Sequence, residues 1–228
     1  MRVRILVAAL AASSLTLASS PVRSSAAALA QGAAPVASDI APARVAHSLS
    51  VSLDPASHRL SVEDEITLPA GAPVEFLLNA RLRVTSSMPE VREVPLGDAA
   101  RFFGINAGDT GEGAPPLKRY RASSAGPAGA RLKLAYDGAF DFGLGSQKEE
   151  YTRGFRETSG LLNDKGVYLA GSGFWYPYFG SDLIEFRMIV NQPEGWHVIS
   201  QGNGASRDAS GRAVWESHGA MDEIYLVG

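Results

Sequence analysis

Hydrophobic and polar residues alternate with a period of two from the first residues that show any regular pattern. His47, Leu49, Val51 and Leu53 are separated by serines, which is typical of a strand with one buried face and one solvated face. After a turn sequence at 54–57, a second run of the same period has a single acidic residue on its apolar face: Leu60, Val62, Asp64, Ile66 and Leu68. The two runs predict a β-hairpin.

More short runs follow, separated by turn sequences rich in glycine and proline. A short strand is predicted at 74–78, and residues 97–113 are interpreted as a loop. Residues 117–122 and 131–136 are predicted to be strands that pair with each other across a glycine-rich turn. Residues 137–162 are rich in glycine and charge and are predicted to form a long surface excursion.

The C-terminal third returns to strand patterns. Residues 184–190 alternate, and a Pro-Gly turn at 192–195 leads into a further run at 196–200. The last candidate strands are 213–216 and 224–227. No stretch of normal length has helical periodicity after residue 46, so the pattern predicts an all-β fold, an antiparallel β-sandwich.

The N-terminus has the pattern of a secretory signal peptide. Arg2 and Arg4 form a positive region, residues 5–18 are apolar, and Ala28-Leu29-Ala30 offers small residues at a cleavage site before Gln31. The apolar stretch is too short to span a bilayer, which disfavours the alternative of a retained anchor helix. The expected mature protein is exported, periplasmic or secreted, with no membrane contact after cleavage.

The chain is therefore divided into three parts. Residues 1–30 are the predicted signal peptide, 31–45 are a flexible linker rich in alanine and proline, and 46–228 are the predicted β-sandwich domain. The chain has no cysteine, so neither a disulfide nor a thiolate is available to it. Its net charge is −3 and it has no block of basic residues, which excludes a nucleic-acid partner.

No catalytic constellation is visible in the sequence. The four histidines are scattered, and none has the spacing of an H-E-x-x-H helix: His47, His58, His197 and His218. His47 and His197 lie in strand-like runs, where a structural role is favoured over that of a metal ligand. The adjacent carboxylates at 149–150 and 222–223 are interpreted as solvated, because neighbours on a strand point to opposite faces. We predict no catalytic residue, no metal ligand and no cofactor in this chain.

An aromatic run at 174–179 is the main candidate for a binding site. Its side chains at Phe174, Trp175, Tyr176 and Tyr178 are predicted to contact a substrate or form an interface. One reading is a stacking platform for a peptide or sugar. A core or domain-interface role is favoured, because Pro177 limits how many of these rings can face outward together.

Several short motifs resemble the N-terminal domain of the aminopeptidase N-like zinc metallopeptidases. The Trp-Tyr-Pro turn at 175–177 is similar to the aromatic-Pro turn of that family, and residues 184–190 to the strand after it. Residues 193–196, residues 200–202 and the closing strand at 224–227 continue the resemblance. It implies a β-sandwich that packs on a thermolysin-like zinc domain and helps to shape the peptide cleft.

The departures from the family pattern concern the chemistry. Residues 170–173 stand where many relatives have a Thr-Gln element that holds the substrate amine, and Gly180-Ser181 stands where an acidic pair is common. The H-E-x-x-H motif is absent, so the resemblance implies that zinc is bound only by a catalytic domain expected after Gly228. The echo of the family's G-x-M-E-N loop at 219–223 is interpreted as coincidence.

The expected function is thus that of a non-catalytic domain of an exported zinc aminopeptidase, either a fragment or a truncated form. Its expected partners are the parent catalytic domain, a second copy through an exposed apolar patch at 174–179, and peptide. The alternative is a stand-alone periplasmic binding module that uses its aromatic cluster on a ligand.

Overall fold

Thirteen β-strands are formed by the residues that the computed structural model describes, namely 44–69, 74–97, 115–122, 131–143, 158–180, 183–203, 206–217 and 219–228. The strands are β1 (Arg44–Asp54), β2 (Arg59–Thr67), β3 (Glu75–Asn79), β4 (Arg83–Met88), β5 (Val91–Val94), β6 (Leu117–Ala122), β7 (Arg131–Ala139), β8 (Leu161–Asn163), β9 (Gly166–Leu169), β10 (Leu183–Asn191), β11 (Ser206–Arg207), β12 (Ala213–Glu216) and β13 (Leu226–Val227). The predicted signal peptide, most of the predicted linker and loop, the 149–150 pair and His218 lie outside these residues.

A seven-stranded sheet in the order β11-β12-β10-β1-β2-β7-β4 contains the alternating runs. The hairpin is confirmed: β1 and β2 are antiparallel, joined by a 3₁₀ turn at Pro55–Ser57 whose amide at Ser57 donates to the Asp54 carboxylate. The predicted strand at 184–190 is β10, and the one at 213–216 is β12. Every pair in this sheet is antiparallel except β1 with β10, which is parallel.

Two three-stranded antiparallel sheets, β3-β6-β5 and β13-β9-β8, complete the fold. Apolar side chains from all three sheets meet in one core. On β3, Phe76 and Leu78 point into this core, whereas Leu77 lies in a second, smaller cluster with Phe174. The described residues contain no α-helix, and the all-β prediction is confirmed. No helix long and apolar enough to cross a membrane was found in this part of the chain.

The predicted pairing of 117–122 with 131–136 is wrong. Both are strands, but β6 pairs with β3 and β5, whereas β7 pairs with β2 and β4. The strands β4 and β5 were not predicted, because their side chains are mostly polar and exposed and give no alternation to detect. Strand β5 pairs with β6 and β4 pairs with β7, in place of the predicted pairing of β6 with β7.

Two smaller expectations also need correction. Residues 137–162 are not wholly a surface excursion, because β7 continues to Ala139 and the Phe140 side chain is fully buried. The predicted strand at 196–200 is reduced to one isolated bridge between Ile199 and Val227. The preceding turn is as expected, with Gly195 at a φ of 79°.

Candidate interface around the aromatic segment

The aromatic segment, residues 174–179, lies between β9 and β10 and directly follows a tight glycine turn. The turn is a 3₁₀ turn at Gly171–Gly173, and Phe174 leaves it in the left-handed region with a φ of 52°. Gly173 is required there, since a Cβ atom would lie 2.1 Å from the Ser159 carbonyl oxygen. A bulky residue at positive φ is rare, so neighbouring contacts must hold Phe174 in place.

Asn79 at the end of β3 supplies those contacts. Its side-chain amide donates to the Gly173 carbonyl at 2.8 Å, and its backbone N–H donates to the Phe174 carbonyl at 2.9 Å. Two residues earlier, Leu77 and Tyr178 exchange both backbone hydrogen bonds at 2.9 Å. The aromatic segment therefore continues the sheet β3-β6-β5 at the edge formed by β3, without being a regular strand.

The aromatic side chains point inward. Trp175 is 0% exposed, Tyr176 2% and Phe174 9%. The Trp175 indole N–H donates to the Ile224 carbonyl at 3.0 Å, and the Tyr176 hydroxyl accepts from the Ile224 N–H at 3.3 Å. Burial raises the pKa of Tyr176 well above its ordinary value, so its hydroxyl stays neutral.

These positions correct the expectation of an exposed apolar patch and of a stacking platform. Phe174, Trp175 and Tyr176 are covered by other parts of the same chain. The indole and phenol groups also have hydrogen-bond partners there, on the C-terminal segment at Ile224. Tyr178 and Phe179 are half-buried. The interpretation of the run as core is the one that agrees with its burial.

A buried polar pair lies against the aromatic segment. The His47 Nδ1 atom is 2.7 Å from Asp64 Oδ2, and both side chains are almost completely buried. The short distance between these two atoms makes the pair a hydrogen bond in the core. The His47 ring packs edge-on against Tyr176, with centroids 5.6 Å apart.

The pair explains Asp64, the one acidic residue on the inner face of the predicted hairpin. His47 stands opposite Ile66 and Asp64 stands opposite Leu49, so the two polar residues are diagonal neighbours across β1 and β2. This pair was not predicted, although two polar residues on the apolar faces of adjacent strands were a signal that could have indicated it. Within the described residues, His47 Nε2 and the Tyr136 hydroxyl have no hydrogen-bond partner.

The other histidines and carboxylates noted in the sequence do not lie beside the His47–Asp64 pair. His58 contacts Asp141 at 3.2 Å near the first turn, and His197 is exposed. Glu223 is not simply solvated, since its carboxylate accepts from the Gly171 N–H at 2.9 Å and from the Tyr225 hydroxyl. Among the described residues, no three His, Asp or Glu side chains are grouped as metal ligands, so this donor set does not fit a zinc ion.

One residue of the run at 219–223, which echoes an active-site motif, forms an isolated bridge to β10. Met221 and Ile184 exchange both backbone hydrogen bonds, at 2.8 and 2.9 Å. This placement agrees with the interpretation of the echo as coincidence.

The fold is similar to parts of several solved structures. No protein-family model matches the sequence, and no curated protein matches it significantly. Among solved structures, an M1 zinc metallopeptidase from Deinococcus radiodurans is 16% identical with a TM-score of 0.50, over 82% of this chain and 41% of that chain. A mutant of a two-domain M1 zinc metallopeptidase bound to L-tryptophan is 16% identical with a TM-score of 0.52, over 82% and 43%.

A more distant match extends the likeness. Yeast LTA4 hydrolase in complex with bestatin is 12% identical with a TM-score of 0.50, over 80% of this chain and 28% of that chain. At these identities the likeness shows a shared fold, and the resemblance inferred from the sequence motifs is confirmed at that level. The chain spans less than half the length of each of these structures.

Proposed function

We propose that this chain is the non-catalytic N-terminal domain of an exported aminopeptidase N-like zinc metallopeptidase. The observation that carries the proposal is the coverage of the structural matches, about four fifths of this chain but only 41–43% of the two M1 metallopeptidases. In the whole protein, the domain packs on the catalytic domain and forms one wall of the peptide cleft. Its architecture is a β-sandwich, a view supported by the core that the three sheets share.

The chemistry belongs to the partner domain. Nothing in this sequence provides an H-E-x-x-H motif, and the described histidines and carboxylates do not fit zinc. Zinc, when bound by the catalytic domain, activates water for peptide hydrolysis. The contribution of this chain is rigidity: the buried Trp175 and Tyr176 rings tie the Gly171–Gly173 turn to the C-terminal segment through Ile224.

The rival function, a stand-alone module that stacks a ligand on its aromatic cluster, is disfavoured. Three of the four candidate rings are buried in the chain's own core and offer no face to a ligand.

Export is part of the proposal and is supported by the signal-peptide pattern of residues 1–30. N-terminal sequencing of secreted protein is expected to begin at Gln31, and an intact Met1 in a membrane fraction would contradict export.

The decisive experiment is to read the gene beyond codon 228 and to express its product with and without residues 31–228. We expect an H-E-x-x-H motif downstream, and aminopeptidase activity on aminoacyl p-nitroanilides that is lost when this domain is deleted. Purified 228-residue chain should contain no stoichiometric zinc by elemental analysis. A downstream sequence without a metallopeptidase motif, or one zinc per 228-residue chain, would refute the proposal.

A further inference from the structure

The small sheet β3-β6-β5 has a second face, turned away from the main core. Along β6, Tyr120 and Ala122 pack into the core, so the residues that alternate with them, Arg119 and Arg121, lie on the opposite side. Leu117 shares that side. Together with Arg92 and Tyr178, these residues form a surface that we call the basic face, defined as Arg92, Leu117, Arg119, Arg121 and Tyr178.

One carboxylate lies among the arginines. Glu75 on β3 is 9% exposed and accepts from Arg119 Nε at 2.9 Å, and it also accepts from Arg121 Nε. Burial by itself raises the pKa of Glu75, but the hydrogen bonds from the two guanidinium groups outweigh it and leave this pKa below its ordinary value. Glu75 is therefore ionised at neutral pH and offsets one of the positive charges.

Arg92 adds a further positive charge to this face. It is exposed on β5, stands directly opposite Arg121, and makes no ion pair with any described residue. Like charges directly opposite each other on neighbouring strands destabilise a sheet. Counting only the part of the chain that the structure describes, the face carries Arg92, Arg119 and Arg121 and the carboxylate of Glu75, on a chain whose net charge is −3.

Apolar side chains border the arginines. Leu117 and Tyr178 are half-buried and pack on the second cluster, formed by Leu77 and Phe174. The Tyr178 ring meets Phe174 edge-on, with centroids 5.3 Å apart. A ligand on this surface would therefore meet positive charge and apolar area side by side.

We propose that the basic face binds an acidic polypeptide segment that carries apolar side chains, with its carboxylates at Arg92 and Arg121 and an apolar side chain at Leu117 and Tyr178. Charge complementarity supplies the reason for an acidic partner. A nucleic acid is disfavoured, because phosphate-driven binding grows with the number of phosphates neutralised and this face has a small charge excess. The proposal does not depend on the aminopeptidase assignment.

The test uses the full 228-residue chain and a fluorescein-labelled decapeptide of alternating glutamate and leucine, followed by fluorescence anisotropy. We expect binding that weakens as salt rises from about 50 to about 300 mM, since screening acts on exposed charges. Arg92→Glu should weaken binding by about ten-fold. The same variant should unfold at an unchanged or higher temperature, because it replaces a like-charge cross-strand pair by an opposite-charge pair.

The matched control is Lys165→Glu, which makes the same charge change at an exposed residue in the turn between β8 and β9. It should change the dissociation constant by less than about two-fold, because Lys165 is not one of the residues of the basic face and an exposed charge outside that face acts only through screened effects. Equal losses in the two variants would show a non-specific charge effect and overturn the proposal. So would tighter binding of a lysine-leucine peptide or of a thymidine decamer than of the acidic peptide.

Discussion

The seven-stranded sheet and the aromatic segment bury comparable side chains by different means. In the sheet, β1 is paired with β10 over nine consecutive residue pairs, so many equivalent contacts share the burial. In the aromatic segment, backbone groups are satisfied one at a time by distant residues, such as Asn79 for Gly173 and Phe174. The difference implies that the sheet tolerates single changes that the aromatic segment does not.

The largest effect is expected from Trp175→Ser. The side chain is fully buried and its indole N–H is bonded, so removal should destabilise the domain by about 3–5 kcal/mol. That is a large part of the stability of an ordinary domain, about 5–15 kcal/mol. Trp196→Ser is the control, since Trp196 is half-buried and should cost about 1–2 kcal/mol. Urea unfolding followed by circular dichroism measures both variants. Equal midpoints would show that Trp175 does not stabilise the domain more than Trp196.

The next effect tests a place where the sheet also depends on a single contact. Asp64→Ala leaves His47 Nδ1 unpartnered in the core, at an expected cost of about 3 kcal/mol. Asp141→Ala removes only the carboxylate contact of the half-exposed His58, whose Nδ1 atom also lies 2.8 Å from the Leu162 carbonyl, and it should cost about 1 kcal/mol or less. If thermal unfolding ranks the two variants in the opposite order, the buried pair is not a stabilising contact.

Gly173→Ala probes the backbone of the aromatic segment. Its new Cβ would meet the Ser159 carbonyl at 2.1 Å, and the forced shift should cost about 1–3 kcal/mol. Gly219→Ala adds the same methyl group where nothing lies within 4 Å, and its effect should stay within about 0.5 kcal/mol. Comparable unfolding midpoints would mean that the turn relaxes freely.

The smallest effect compares two buried tryptophans of the two regions. Trp175→Phe removes the donor to Ile224 and leaves a buried carbonyl unpartnered. Trp215→Phe, on β12, removes an indole N–H that has no partner among the described residues. The first should therefore cost about 1–2 kcal/mol more than the second. Guanidinium titrations of both variants would refute this if Trp215→Phe were the more damaging.

The sequence predicted the sheet better than it predicted the aromatic segment. Strands such as β1, β2 and β10 were found because burial on one face imposes an alternation that is visible in the residues themselves. Strands β4 and β5 lack that alternation, and without them the partners of β6 and β7 could not be assigned. Strand pairing depends on which edges are free in three dimensions, and a pattern along the chain does not contain that information.

The sequence indicated where the candidate site lies along the chain but not which way its side chains point. Residues 174–179 were recognised as special from their aromatic content, yet whether the rings faced inward depended on Ile224, a residue almost fifty positions later. His47 and Asp64 were each noticed separately, and their contact required the register of β1 on β2. In both cases, the missing information was a contact between residues far apart in the sequence.

The parallel pairing of β1 with β10 has a consequence for how the protein is made. Strand β1 ends at Asp54 and its parallel partner runs from Leu183 to Asn191. During synthesis, one edge of β1 therefore stays unpaired until most of the domain has left the ribosome. Such distant pairing slows folding and leaves an open strand edge that other chains can join. The polar serines along β1 keep one face of this waiting strand hydrophilic and so reduce its tendency to aggregate before β10 arrives.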